Sequence, residues 1–459
     1  MNRMKKYFFA GLFLIAAAAF AQESAQDAAQ GAAQQAEDTR LATIRFGTEV
    51  EIGALIQSLR EENVDYLDNE IIALVENTRN QRILSGAFSF FGDRERSGLE
   101  NRAMRAIDER DSEENETVLS AINYLGAMRD NRAVPYLKDI LDNEERRFMG
   151  AAFRALGRVG GSGGWESDDV ADYLIDFYSN RSPADEHRRD ILLAIGATGS
   201  SAGIGLLSEV AMDDGERGPL RMAAMEALAA IGDPDGLDAI LSGLAARDAH
   251  VRSAAVGALG PFSGDAVDRA ILDGFRDSFF RTRIASAQAS RRRQLAAAVP
   301  YLRFRAMNDS EAVVREEAIR ALGGIGNAEA MLVLEELFSN RRNSARVRIV
   351  AAEMLMQNEP EKHLDSFIVE MDEASRTNHT ALYNGFIRII GTTTSPGMED
   401  LARRLLQHRG IVERSTALDI AANNNIVALA DEIRVVAEDR NESLARRARR
   451  TLERMGVEL

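Results

Sequence analysis

VREEAIRALGGIG, residues 314–326, runs directly into NAEAMLVLEELFSN, residues 327–340. In the first stretch Val314, Ala318, Ala321 and Leu322 recur at helical spacing. In the second, Leu332, Leu334, Leu337 and Phe338 supply another apolar face. Gly323 and Gly326 stand where a helix would end and turn. The spacing predicts two amphipathic helices, neither able to hide its apolar face alone.

The same stretch recurs on the N-terminal side, as VRSAAVGALG at 251–260 and LRMAAMEALAAIGDPDG at 220–236. One arginine marks each unit: Arg188, Arg221, Arg252, Arg283, Arg315 and Arg348, in steps of 33, 31, 31, 32 and 33 residues. The residues at the helix-end position, from Leu59, Phe91 and Leu125 through Leu259 and Leu322 to Met455, extend the period across the chain. A fixed period of this size means a stack of small units sharing one continuous core. No segment carries a strand period. The expected architecture is therefore all-α, an α-solenoid of about twelve two-helix repeats with a final half repeat, over residues 41–459.

These stretches resemble HEAT repeats, in the short bacterial form also found in phycobilin-lyase-like proteins. The resemblance covers about 41–459 and is strongest from 188 to 356. It implies a protein-binding scaffold, with the ladder arginines and the acids or amides shortly before them (Asp214, Asp248, Asp277, Asp309, Asn340) tying neighbouring units together. The lyase resemblance also raises an enzyme as an alternative.

Composition narrows the field. The 459-residue chain has a formal net charge of −16 and no cysteine. Disulfides, thiolate metal sites and a cysteine nucleophile are excluded. Nucleic acid is an unsuitable partner for so acidic a chain. The five histidines fall in separate units, with no H-x-x-x-H or H-E-x-x-H pair. No P-loop, G-x-S-x-G or dinucleotide fingerprint is present. The expectation is no catalytic residues, no metal and no cofactor.

The N-terminus reads as a signal peptide over 1–21. Arg3, Lys5 and Lys6 precede an apolar run from Tyr7 to Phe20, and Ala19-Phe20-Ala21 fits a cleavage site. Removal would strip three positive charges and take the net charge from −16 to −19. Residues 22–40 are Ala/Gln-rich and read as a flexible linker. No later apolar stretch is long enough to span a membrane. This pattern predicts a periplasmic protein whose partner is another envelope or periplasmic protein; an anionic envelope polymer or lipid headgroup is the alternative ligand.

Two departures from the period are candidate binding features. At 290–293, Ser290 replaces the large apolar residue and Arg291, Arg292 and Arg293 replace the glycine turn. Arg276, Arg281, Arg303 and Arg305 lie close in sequence. Between 276 and 305 eight arginines face one acid, Asp277. Such a reversal on an acidic chain suits an acidic partner surface; the other reading is a solvated basic turn paired with acids of its own neighbouring repeats. The second departure is the insertion GGSGGWESDD, 160–169, with the single tryptophan, Trp165. It reads either as a binding anchor or as a loop folded over the repeat edge.

Overall fold

The structure, a computed structural model, describes residues 34–60, 62, 64–161, 166–181 and 183–457. The expected signal peptide, residues 22–33 of the expected linker, and Trp165 lie outside them. Among the described residues the chain forms helices and turns and no strand.

Contacts divide the chain into two units, the first ending at Gly243 and the second beginning at Leu244. The first contains α1 (34–46), α2 (Glu49–Leu59), α3 (Asp68–Asn77), α4 (Gln81–Gly92), α5 (Glu100–Asp108), α6 (Asn115–Met128), α7 (Val134–Asp142), α8 (Arg146–Gly160), α9 (Glu166–Asn180), α10 (Asp185–Thr198), α11 (Ile204–Met212), α12 (Gly218–Ile231) and α13 (Leu237–Ser242). The second contains α14 (Ala249–Ala258), α15 (Asp265–Gly274), α16 (Phe280–Arg292), α17 (Val299–Asn308), α18 (Ala312–Ile325), α19 (Ala328–Ser339), α20 (Ala345–Asn358), α21 (Pro360–Arg376), α22 (Thr380–Thr392), α23 (Glu399–Leu406), α24 (Ile411–Asn423), α25 (Ala430–Ala437) and α26 (Glu442–Arg454). Paired from α2 onward, these helices are twelve two-helix repeats and a lone last helix, as the period predicts.

The helix α1 begins inside the stretch expected to be a tether. Residues 34–40 are its first turns, and Arg40 at their end is fixed by a two-pronged bond to Glu62, at 2.8 and 2.9 Å. The sequence QQAEDTR is rich in good helix formers, and Ile44 one turn later is buried, so α1 has a core contact to hold it.

Within each unit the even-numbered helices form one layer, each packed on the next even helix. Each odd helix from α3 onward, α13 apart, packs on the even helix that follows it. The helix-end residues Leu59, Phe91, Leu125, Leu156, Ile195, Leu228, Leu259, Leu322 and Leu355 are all buried. In α18 the four residues expected on the core face are buried. In α19 the core face is Ala330, Met331, Val333, Leu334, Leu337 and Phe338, whereas Leu332 is 63% exposed. The helix therefore sits rotated from the face drawn through Leu332.

Close approach within the even layer depends on glycine. A Cβ added at Gly157 would lie 2.8 Å from Ala194 Cα, and one at Gly196 would lie 2.5 Å from Ala227 Cα. Only a missing side chain on one helix and a methyl on the next allow that spacing.

The arginine ladder joins neighbouring repeats in a direction opposite to the one the sequence suggested. Three rungs take backbone carbonyls from the turn before them. Arg252 donates to the Ala246 and Arg247 oxygens, Arg283 to those of Asp277 and Ser278, and Arg315 to those of Asp309 and Ser310. The carboxylate comes from the following repeat. Arg252 clasps Asp277 at 2.7 and 3.1 Å, and Arg283 clasps Asp309 at 2.7 Å through both nitrogens. Arg414 reaches Asp439 at 2.8 Å in the same way. Each of these aspartates also accepts a backbone N–H two residues on, from Phe279, Glu311 and Asn441. Of the acids expected to act from the preceding turn, only Asp214 does so, with Arg221 at 2.8 Å. Arg348 instead bonds Glu370 and the Phe338 carbonyl.

Burial pushes the Asp277 and Asp309 carboxyls up. The clasping arginine, the capped N–H and the neighbouring guanidinium charges together pull both below the ordinary carboxylate range.

Candidate functional site

The basic stretch 276–305 covers a helix end, all of α16 and most of α17. The eight arginines therefore do not converge. The helix α16 is roughly 20 Å long at 1.5 Å per residue, and its arginines divide between its two ends and its outer side.

At the start of α16, Arg283 is a buried ladder rung. Arg305, from α17, reaches the same Asp309 at 3.3 Å and also donates to the Phe275 carbonyl. Arg303 makes a two-pronged bond to Glu336 of α19, at 3.0 and 2.8 Å. Arg276 bonds Asp273 at 3.1 Å and lies over the Tyr301 ring. Arg293 is nearly buried between the Phe262 carbonyl and Asp268, the latter at 2.6 Å. These five hold the repeats together.

Arg281, Arg291 and Arg292 differ. Arg281 is exposed and lies over the ring of Phe280. Arg291 and Arg292 leave the end of α16 toward opposite neighbours. Arg291 lies on Gly324 of α18, where a Cβ would meet its Cγ at 2.3 Å; its nearest carboxylate, Glu317, is 3.8 Å away. Arg292 lies on Gly260, just past α14, and donates to the Gly257 carbonyl at 3.2 Å, with no carboxylate partner among the described residues. Both side chains are thus laid across glycine backbone while their charge stays exposed. At 100° per residue Arg281, Gln288 and Arg292 fall on one line along α16, spanning ~16 Å.

The opposite side of α16 was not anticipated. The core positions that hold Val251, Ala255 and Leu259 in α14 and its end, and Val314, Ala318 and Leu322 in α18, are Thr282, Ser286 and Ser290 in α16. All three are buried, and none of their hydroxyls has a hydrogen-bond partner among the described residues. The substitution at 290 was visible as a break in the period. The hydroxyls at 282 and 286 share its four-residue spacing, which is the signal that could have revealed a stripe.

Among the described residues no group of three or more His, Asp or Glu side chains could hold a metal, and no helix is long and apolar enough to cross a membrane.

The sequence matches the family described as Spirochaete HEAT repeat protein over residues 44–451. No curated protein matches it. Among solved structures it is similar to a mutant of Kap121p, at 12% identity and a TM-score of 0.45, covering 91% of this chain and 53% of that one. It is also similar to importin beta, at 13% identity and a TM-score of 0.38, covering 93% and 70%. A third is human deoxyhypusine hydroxylase in complex with glycerol, at 16% identity and a TM-score of 0.24, covering 78% and 99%. The chain spans about half the length of Kap121p. Such distant likenesses concern helical-repeat folds alone. The family match takes in every repeat from α2 to α25, and with the paired helices above it leads to one conclusion: the protein belongs to the Spirochaete HEAT repeat protein family.

Proposed function

We propose that this protein is an exported, periplasmic, non-enzymatic adaptor that binds an envelope protein with an acidic surface, and that the outer face of α16 is the contact. The fold class supports the coarser half of this reading, since a HEAT-repeat solenoid suits a protein-binding scaffold. One observation carries the finer half. On a chain of net charge −16, Arg291 and Arg292 are held flat on glycines of two neighbouring repeats, with Arg281 in line. Guanidinium groups fixed in this way lose little freedom on pairing with a carboxylate. Export rests on Arg3, Lys5, Lys6 and the apolar run after them.

The test is in-cell crosslinking of the full chain, followed by mass spectrometry, beside a variant carrying Arg281→Glu, Arg291→Glu and Arg292→Glu. Arg293 is left intact because it clamps α16 to its neighbours. A discrete protein captured by the parent and lost from the variant is the expected result. Capture of the same protein by both would move the contact off α16. Capture of no protein by either chain, with anionic vesicles retaining the parent and not the variant, would end the adaptor reading.

A further inference from the structure

We infer that α16 is a built-in joint of the second unit, a helix that opens locally far more readily than its even-numbered neighbours. A helix in a stack is held mainly by its apolar face, because isolated helices of this length are marginal in water. The neighbouring α18 buries Val314, Ile319, Leu322 and Ile325, and α20 buries five large apolar residues including Ile349 and Leu355. The buried residues of α16 are Thr282, Arg283, Ala285, Ser286, Ala287, Ala289 and Ser290, so its largest buried apolar side chain is alanine.

Its inner stripe also carries an unmet demand. Among the described residues, buried side-chain atoms without a hydrogen-bond partner are found at Thr282, Ser286, Ser290, Arg293 Nε and Glu317 Oε1, and elsewhere only at Arg102 and His187. Five of those seven atoms belong to α16, to the residue that follows it, or to the facing helix α18. A buried hydroxyl that finds no partner opposes folding and regains a bond when water enters. With its outer face basic and its inner face made of alanine, serine and threonine, α16 lacks the large apolar stripe that holds a stable buried helix. What fixes it is polar: the Arg283–Asp309 clasp at its start and the Arg293–Asp268 bond just beyond its end. Local opening therefore trades few apolar contacts for three newly solvated hydroxyls, while the flanking helices keep their own cores.

The test is amide hydrogen exchange by mass spectrometry on the full chain. Peptides within 280–292 are expected to exchange at least ten-fold faster than those within 314–325 and 347–356. Replacing the stripe with its neighbours' residues, Thr282→Val, Ser286→Ala and Ser290→Leu, is expected to bring α16 to within about two-fold of α18. Should the larger side chain at position 290 not be accommodated, Ser286→Ala alone is expected to slow exchange in α16 by several-fold. Equal protection of α16 and α18 in the parent chain would overturn the inference, as would faster exchange in Ser286→Ala.

Discussion

At the scale of single residues, the aspartate in the turn before an even helix performs two tasks with one carboxylate. Asp309 caps the Glu311 N–H and clasps Arg283 of the preceding repeat, and its side chain is fully buried. Asp309→Ala leaves Arg283 buried and unpaired, and a loss of about 3 kcal/mol in urea unfolding is expected. A variant as stable as the parent would remove the ladder from the account of stability. One rung is incomplete. Arg315 has its two carbonyls, but the position 25 residues on, which in the rung of Arg252 is Asp277, is Asn340. The Asn340 amide oxygen already caps the Arg342 N–H, so the turn has the form of the others. Asn340→Asp is expected to add about 1 kcal/mol by the same assay.

At the scale of helices, two glycines have opposite roles. Gly196, in α10, faces backbone of α12, and Gly196→Val must part the two helices at a cost of about 3 kcal/mol or more. Gly205, in α11, has no atom within 4 Å of where a Cβ would stand. Gly205→Ala is expected to raise stability by about 0.5–1 kcal/mol, through helix propensity alone. Thermal melts of both variants, shifted in opposite directions, would check the assigned layer.

Elements of this kind were legible in the sequence because a helix that repeats its packing repeats its residues. The period located α18 and α20 and counted the repeats. It missed what depends on a neighbour. Both Asp277 and Asp309 lay within reach of Arg283 in sequence, and only the fold decides which supplies a carboxylate and which a carbonyl. The eight arginines of 276–305 read as a cluster because linear distance ignores that a helix separates its own ends. The stripe at Thr282, Ser286 and Ser290 was written plainly, but its lack of partners is a property of the surrounding helices. The glycines beneath Arg291 and Arg292 belong to other repeats, so no local pattern could announce them.

At the scale of the molecule, arginine–carboxylate pairs recur along both units, and their titration sets the response to acid. The carboxyls of Asp277, Asp309, Glu316 and Glu336 are all held below their ordinary values in the folded chain. For Asp277 and Asp309 burial opposes this and the arginine bonds overcome it. For Glu316 and Glu336 the bonds to Arg346 and Arg303 lead. A carboxyl with a lowered folded pKa binds fewer protons folded than unfolded. Its contribution is thus complete above the unfolded value, ~4, and is lost as pH falls below it. The melting temperature is expected to be level from pH 7 to 5 and to fall steeply below about pH 4. In Asp277→Asn with Asp309→Asn the melting temperature is expected to be lower at pH 7 and the acid fall shallower. An equally steep fall in that variant would assign acid unfolding to other groups.

The rung that runs from an arginine forward to the next repeat's aspartate gives the repeats that carry it a plug at one end and a socket at the other. Two copies of one repeat placed in tandem would meet through the same fitting that joins either copy to its present neighbours. Such a chain can lengthen by duplicating a stretch of its own gene without inventing a new joint. Where a socket has drifted, as at Asn340, the stack continues because the turn and its carbonyls remain.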